Sequence, residues 1–246
     1  MSFALNATLL DRRTLTSTRI AEMYALFRQY YDGVTESIFY ADLMGKDYVI
    51  ELRHDDALAG FSTIALFDFF HEPSQLEATV MFSGDTIIDH RFWGSQALPA
   101  AFGKFAGEIQ ARRQKPLYWL LISKGHRTYR YLPLFVREYW PRHDRPTPTS
   151  MEDLLNAIAL RRFGRHYDAS IGLLRFPSSR GHLKEQWAEV HDAALDKPAV
   201  RFFLERNPRY AQGEELVCLA EFNADNLRGV VQRSFIEAAQ CAALAL

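Results

Sequence analysis

The stretch IIDHRFWGSQALPAAFGKFAGEIQARRQK (residues 87–115) decides the fold of this chain. It begins as an apolar strand, breaks at Gly94 and resumes as a helix that ends in a basic cluster. A strand that turns directly into a helix leaves the first amides of that helix without acceptors, and these amides attract anions. The break therefore predicts a turn that holds a phosphate group.

The composition is typical of a globular protein with a large core. Of the 246 residues, 48% are hydrophobic and 13% aromatic, and the formal net charge is -1. Nucleic acids and anionic membranes usually bind proteins through an excess of basic residues, so we expect neither as a partner. The length allows one large domain or two small ones.

The sequence carries no pattern for secretion, membrane insertion or metal binding. The first residues place their charges after a short apolar run, whereas a secretory signal begins with its basic region. No stretch reaches the roughly 18 uncharged apolar residues of a membrane span. Cys218 and Cys241 are too few for a disulfide framework, and the histidines lack metal-ligand spacing. We therefore expect a cytoplasmic protein without a metal site.

The segments before the turn have one helical pattern and three strand patterns. Apolar residues at helical spacing predict a helix over 18–32, which ends before Gly33. Runs rich in β-branched and aromatic residues predict strands over 47–53, 60–70 and 76–89. The first two strands are expected to form a hairpin, and Ser83–Gly84 predicts a bulge in the third.

The segments after the turn continue the alternation. Ser95 is the expected N-cap of a helix over 96–113, because its side chain can accept from the open amides of the first turn. A short apolar strand is predicted over 116–123, followed by an aromatic-rich helix that Pro133 interrupts. The proline-rich segment 141–150 is the expected linker.

The last hundred residues are expected to complete the same domain. A strand over 215–222 is predicted to return to the first sheet, and the tail from residue 226 onward is helical by propensity. The apolar end of this tail needs cover, either from the chain's own core or from a second copy in a homo-oligomer. We therefore divide the chain into a core, residues 1–145, and a C-terminal extension, residues 146–246, packed on it.

The order of these elements over residues 20–140 resembles that of the GNAT superfamily of N-acyltransferases, with 215–222 as a further strand. That family has a helix, a run of antiparallel strands, a strand–loop–helix that grips the pyrophosphate of the acyl carrier, then a strand, a helix and a terminal hairpin. The resemblance implies an α/β (α+β) fold: a mixed, largely antiparallel sheet flanked by helices, here with a helical C-terminal extension.

The family's loop reads Arg-Gly-x-Gly-x-Gly or Ala, and DHRFWGSQAL (residues 89–98) can be laid on it in two ways. Gly94 takes the first glycine position with Trp93 in place of the arginine, or Arg91 is the leading basic residue. The resemblance implies that the carrier contacts the strand end and this loop, at Ile87, Ile88, Arg91, Trp93, Gly94, Ser95, Gln96 and Ala97. Amides of residues 94–97 are the expected diphosphate donors, since glycine lets the backbone approach phosphate oxygens closely.

Direct attack of an amine on a thioester needs a base for the amine and an acid for the departing thiolate. The resemblance places the base on the strand before the loop, where Glu77 and Asp85 are the preferred residues. It places the acid on the helix after the next strand, at Tyr131 or Tyr129. Tyrosines two residues apart cannot share a helix face, so one of the two should face the carrier.

The function that this resemblance implies is transfer of an acyl group from acyl-CoA, or from the phosphopantetheine of an acyl carrier protein, to a small-molecule amine. The carrier is a co-substrate, and no tightly bound cofactor is expected. One alternative is a catalytically silent GNAT-like module that binds an acyl carrier or a partner protein through the same loop. Another is an unrelated α/β protein whose apolar tail serves assembly.

Overall fold

The computed structural model describes residues 5–244. The strands are β1 (Asn6–Asp11), β2 (Tyr31–Asp32), β3 (Tyr48–His54), β4 (Ala57–His71), β5 (Leu76–Ile88), β6 (Leu117–Ser123), β7 (Tyr167–Asp168), β8 (Leu173–Leu174), β9 (His182–Leu183) and β10 (Glu215–Glu221). The α-helices are α1 (Ser17–Tyr30), α2 (Glu36–Met44), α3 (Ala97–Arg113), α4 (His126–Tyr129), α5 (Tyr131–Phe135), α6 (Thr149–Phe163), α7 (Glu185–Ala188), α8 (Asp192–Leu195), α9 (Pro198–Arg206) and α10 (Gly229–Ala243).

Eight strands form one sheet in the order β1-β3-β4-β5-β6-β10-β8-β7, and β2 pairs with β9 separately. Neighbouring strands of the large sheet run antiparallel except β5 and β6, which are parallel. Parallel neighbours need a crossover, and α3 supplies it. The predicted mixed, largely antiparallel sheet is confirmed, and the late strand β10 joins it beside β6.

Helices cover both faces of the sheet because its central strands are apolar on both sides. In β10, Leu216, Cys218 and Ala220 pack on one face, while Val217 and Leu219 pack on the other. The first face is covered mainly by α3 and α10. The second face is covered by α6 over the middle of the sheet and by α1 and α2 over β3 and β4.

The tail helix α10 packs against α3 of the same chain at two glycines. A Cβ on Gly103 would lie 2.5 Å from the carbonyl oxygen of Val231, and one on Gly107 would lie 2.2 Å from that of Phe235. The two backbones can approach this closely because glycine has no side chain. The predicted tail helix is confirmed up to Ala243, and α3 covers its apolar face; residues 245 and 246 lie outside the described range.

Two elements were missed by the sequence patterns. The segment read above only for targeting signals contains β1, which pairs with β3 at the edge of the sheet. The segment after Gly33 contains α2, whose first turn is capped by the hydroxyl of Thr35 accepting from the Ile38 amide. The helix predicted after β6 is present as the two short helices α4 and α5, with Pro133 inside the first turn of α5.

Candidate active site

The two parallel strands separate near their carboxyl ends. They pair from Thr79 and Leu117 as far as Ser83 and Leu121, although β5 continues to Ile88. Just beyond the last pair, Gly84 and Asp85 form a bulge in β5, which confirms the predicted irregularity. After the bulge, β5 stays paired with β4 and leaves its other edge without a strand partner.

Two cavities adjoin this gap. The first, about 510 Å³, lies between the end of β5, the loop before α3 and helices α4 and α5, and we call it the donor cleft. The second, about 250 Å³, lies on the opposite side, among α1, α2, β6 and the end of α6, and we call it the acceptor cavity. Tyr31, Thr86 and Thr128 line both, so two molecules bound in the two cavities would meet at these side chains.

The loop before α3 has a positive backbone angle at Gly94. Gly94 lines the donor cleft with φ +89°, and, apart from its two chain neighbours, no described residue has an atom within 4 Å of the position that a Cβ would occupy. The amide of Ser95 donates to the carbonyl of Phe92, and the amide of Ala97 to the hydroxyl of Ser95. Ser95 therefore receives a first-turn amide as predicted, although the N-cap position belongs to Gln96.

Of the four amides predicted to bind a diphosphate, those of residues 94–97, two lack a hydrogen-bond acceptor in the described part of the chain. One further amide, at Leu98, lacks an acceptor as well. Within residues 5–244, the amides of Gly94, Gln96 and Leu98 have no acceptor. Pro99 has no amide hydrogen, and the amide of Ala100 donates to the carbonyl of Gln96. The open amides thus alternate along the turn, at the N-terminus of a 17-residue helix.

The other predicted carrier contacts divide into those inside and those outside the cleft. Ile87, Ile88, Trp93, Ser95 and Gln96 line the cleft together with Gly94. The Trp93 indole donates to the Ile88 carbonyl at 2.8 Å, so this tryptophan closes the end of the strand.

Arg91 and Ala97 are not part of the cleft lining. Arg91 makes a two-pronged ion pair with Asp89, at 3.0 and 2.7 Å, and the pair lowers the pKa of that carboxyl. Ala97 packs against the core below α3. The loop register that makes Arg91 the leading basic residue is therefore not supported by its position.

Two arginines that the sequence patterns did not single out line the donor cleft. The Arg127 guanidinium lies 5.0 Å from the Trp93 ring centroid and donates to the carbonyl of Trp187. Burial and the neighbouring charge of Arg130 lower the pKa of Arg127. Arg130 has no ion pair or side-chain hydrogen bond among the described residues, so its charge is free for an anion.

The two tyrosines have different surroundings, as their spacing predicted. Tyr129 is fully buried and its hydroxyl donates to the Pro141 carbonyl at 2.9 Å, so it belongs to the core. Tyr131 lines the donor cleft, and its hydroxyl has no hydrogen-bond partner in the described part of the chain. Burial raises its pKa, which keeps the phenol protonated at neutral pH.

The two predicted carboxylates lie at opposite ends of β5. Asp85 lines the acceptor cavity at the bulge, and its carboxylate has no hydrogen bond or ion pair within residues 5–244. Burial, followed by the charge of Asp42, raises its pKa to about 6. Glu77 is exposed at the far end of the strand, where it pairs with Lys115 at 3.1 Å. The structure does not bring Glu77 to the gap, because β5 parts from β6 only after Ser83.

Further charged groups surround Asp85. Lys46 crosses the bulge, within 3.1 Å of where a Gly84 Cβ would lie, and its ammonium pairs with Asp42. Lys124 pairs with the buried Glu215 at 3.4 Å, and burial raises the pKa of that carboxyl. None of these groups belongs to a recognisable motif, because they come from elements far apart in the chain.

No protein-family model and no curated protein sequence matches the chain. Among solved structures, it is similar to a probable N-acyltransferase of unknown function from Enterococcus faecalis V583, with 14% identity and a TM-score of 0.39 over 57% of this chain and 37% of that one. It is also similar to ribosomal-protein-alanine N-acetyltransferase from Brucella melitensis biovar Abortus 2308, with 21% identity and a TM-score of 0.33 over 48% of this chain and 79% of that one. A third similar structure is an acetyltransferase from Trypanosoma brucei, with 16% identity and a TM-score of 0.38 over 59% of this chain and 98% of that one. The matched region thus spans little more than a third of the Enterococcus protein.

The described elements follow the order that the resemblance to the GNAT superfamily implied: the antiparallel run β3-β4-β5, the loop and helix α3 that follow, and the parallel strand β6 that parts from β5. The GNAT-like core is extended here by β7, β8 and β10 and by α10. Within residues 5–244, no helix has the length and apolar character of a membrane span. The same range holds no cluster of three or more residues suited to binding a metal.

Proposed function

We propose that the protein is an N-acyltransferase that moves an acyl group from a phosphopantetheine thioester to an amine. The observation that carries this proposal is the meeting of two chemically different cavities at the gap between β5 and β6. The donor cleft is bordered by open amides and an unpaired arginine, whereas the acceptor cavity contains an unpaired carboxylate. The first suits a phosphorylated carrier and the second suits an amine.

The donor cleft has the groups that a phosphopantetheine carrier needs. The open amides of Gly94 and Gln96 and the charge of Arg130 would hold phosphate oxygens, because amides at a helix N-terminus and a guanidinium both stabilise anions. The unpaired edge of β5 at Ile87 and Ile88 would bind the peptide-like arm as an added strand. When bound, the carrier supplies the activated acyl carbon.

The residues at the gap provide both proton transfers of the reaction. Asp85 would take a proton from the ammonium form of the acceptor, and a pKa of about 6 suits a base that works near neutral pH. The freed amine forms the new C–N bond to the thioester carbon as the C–S bond breaks, and the nitrogen then releases its second proton to solvent. Tyr131 would give its proton to the departing sulfur, and solvent returns a proton to the tyrosine. Amide and free thiol are the products.

Two donors fit this site, coenzyme A and the phosphopantetheine arm of an acyl carrier protein. Both present the same arm and thioester, and they differ beyond the phosphate. In the proposed division of the chain, residues 1–145 supply most of both cavities. Residues 146–246 add the end of α6, the loop to β9 and β10 to the acceptor cavity, and Leu183, Trp187, Gly229 and Val230 to the donor cleft. The C-terminal extension therefore serves both ligands in this proposal.

Titration calorimetry with CoA, and with a phosphopantetheine-loaded carrier protein, tests the donor assignment. We expect Arg130→Gln to lower the affinity for the donor by roughly tenfold, which is the scale of a charge-assisted hydrogen bond. Arg91→Gln is the matched control, because Arg91 pairs with Asp89 outside the cleft. The donor affinity of this variant should stay within about twofold of the wild-type value. Donor binding without acyl transfer would favour the catalytically silent module, and absence of binding to either donor would overturn the proposal.

A further inference from the structure

The acceptor cavity contains more charge than binding a simple amine requires. Alongside Asp85 and the ion pairs Lys46–Asp42 and Lys124–Glu215, it is lined by Arg162 at the end of α6. Arg180 also lines the cavity, but it is exposed and lies over the Phe176 ring. Because the two ion pairs are internally balanced, Asp85 and Arg162 are the remaining charges inside the cavity that a ligand would have to satisfy. One is negative and the other is positive.

Arg162 is held in place without an acidic partner in the described part of the chain. Its guanidinium lies 5.0 Å from the Phe82 ring centroid, and one terminal nitrogen makes a long 3.5 Å hydrogen bond to the Gly45 carbonyl. Its Nε is buried and has no acceptor among residues 5–244. A buried donor without a partner is unfavourable in the free protein, so this nitrogen favours a ligand that brings an acceptor. The planar fork of arginine matches the two oxygens of a carboxylate.

Asp85, beside the gap, requires a positive group on the ligand. Its carboxylate borders the place where the acceptor cavity opens to the donor cleft, next to Thr86. An ammonium group there would be attracted to the carboxylate and would lie next to the incoming acyl carbon. The positive end of an acceptor therefore belongs at the gap and its negative end at Arg162.

The remaining wall of the cavity is largely apolar and aromatic. Phe39, Ile122, Phe163 and Phe176 line it between the charged groups. Its volume of about 250 Å³ lies below the roughly 300–1,000 Å³ of sites for drug-sized ligands. The cavity therefore suits a metabolite of amino-acid size with an apolar side chain.

We propose that the acceptor is a free amino acid with an apolar side chain, whose ammonium group faces Asp85 and whose carboxylate is bound by Arg162. This inference rests on the proposed acyltransferase function, since it names the acceptor of that reaction. The N-terminus of a polypeptide is the alternative acceptor with the same amine. It has an amide where the free amino acid has its carboxylate, which makes the two separable.

A matched set of acceptors tests the proposal. Phenylalanine, phenylalanine amide and phenethylamine share the amine and the ring but differ at the carboxylate. Binding to the wild-type protein is measured by saturation-transfer NMR without donor, and transfer is measured by mass spectrometry with acyl-CoA. We expect phenylalanine to be favoured by roughly thirtyfold or more, the scale of losing one member of a buried charge pair. A panel of the other apolar amino acids covers the choice of side chain.

Variants of Arg162 locate the preference. Arg162→Gln should remove the preference for phenylalanine over phenethylamine. Arg162→Lys should keep part of this preference because the charge remains. Arg161→Gln, on the exposed neighbouring residue outside the cavity, is the control and should keep the full preference.

Equal binding and transfer of the three acceptors by wild-type protein would overturn the amino-acid assignment while leaving acyl transfer intact. This comparison needs no variant, so it holds even where Arg162→Gln fails to fold. Preference retained in a folded Arg162→Gln protein would overturn the role of Arg162. Amino-acid binding with carboxylate preference but no transfer from any donor would support the cavity assignment and contradict the proposed enzyme instead.

Discussion

Replacing Asp85 with asparagine should make the protein more stable and less active at the same time. Its carboxyl group has a folded pKa of about 6, against an ordinary value of 3.8, because the half-buried side chain is desolvated in the acceptor cavity and makes no hydrogen bond or ion pair within residues 5–244. The unfolded chain therefore holds fewer protons than the folded one between these two pH values. Since stability falls with pH wherever the folded state binds more protons, this carboxylate destabilises the fold as pH rises from about 4 to about 6.

The magnitude follows from the pKa difference. A tenfold change in a dissociation constant corresponds to about 1.4 kcal/mol, so the ionised side chain lowers the free energy of unfolding by at most roughly 3 kcal/mol above pH 6. Asparagine has nearly the same shape and no charge. We expect Asp85→Asn to raise the free energy of unfolding by about 1 to 3 kcal/mol at pH 8 and by far less at pH 4.

Urea denaturation of the wild type and Asp85→Asn across pH 4 to 8 measures this difference directly. Glu77→Gln is the control on the same strand, because that exposed carboxylate pairs with Lys115 at the surface and should change stability by less than about 0.5 kcal/mol. A variant that is equally stable or less stable than wild type at pH 8 would refute the reasoning that Asp85 is a desolvated, unpaired charge. Undiminished acyl transfer by the folded variant would remove it as the base.

Three further predictions concern the tyrosines and the glycines. Tyr131→Phe should fold normally, as judged by its melting temperature, and lose roughly ten- to ten-thousandfold in turnover if its proton transfer limits the rate; unchanged turnover would move that role elsewhere. Tyr129→Phe should instead lower the free energy of unfolding by about 1 kcal/mol through the lost hydrogen bond to Pro141. If folded Tyr129→Phe lost more turnover than Tyr131→Phe, the assignment of Tyr129 to the core would be contradicted. Gly107→Ala should lower the free energy of unfolding by about 1 to 3 kcal/mol or more in a denaturation series, because its Cβ would meet the backbone of α10. Gly94→Ala should lower it by about 1 kcal/mol through the positive φ alone. Equal effects of the two alanine variants would argue against the close contact of α3 with α10.

The sequence was sufficient for most of the sheet because its strands have clear local patterns. The hairpin β3–β4, the bulged strand β5 and the turn at Gly94 are each determined by neighbouring residues, and the structure has them close to the predicted positions. The edge strand β1 was missed because its pairing with β3 is a long-range contact that leaves little trace in an exposed, short segment.

The candidate site was predictable only where it follows the chain. Asp85, Gly94 and Tyr131 lie on the strand, turn and helix that the patterns located. Glu77 shares the strand with Asp85, but the sequence does not reveal where β5 parts from β6, and that point separates a cavity residue from a surface residue. Arg162 was not among the predicted site residues, because its approach to the β5 bulge depends on packing between distant elements.

The central claim is that donor and acceptor meet at the gap where Tyr31, Thr86 and Thr128 line both cavities. Thr128→Trp tests it most directly, because a large ring at this position would block the junction while leaving the phosphate turn and Arg162 unchanged. Calorimetry gives the binding of CoA and amino acid separately, and mass spectrometry gives the N-acyl product. We predict that the variant still binds each ligand but transfers the acyl group at least roughly a hundredfold more slowly, as expected when reacting groups are held apart. The account would be contradicted if the variant transferred the acyl group at the wild-type rate. It would also be contradicted if the folded wild-type protein formed no N-acyl product from any pantetheine thioester.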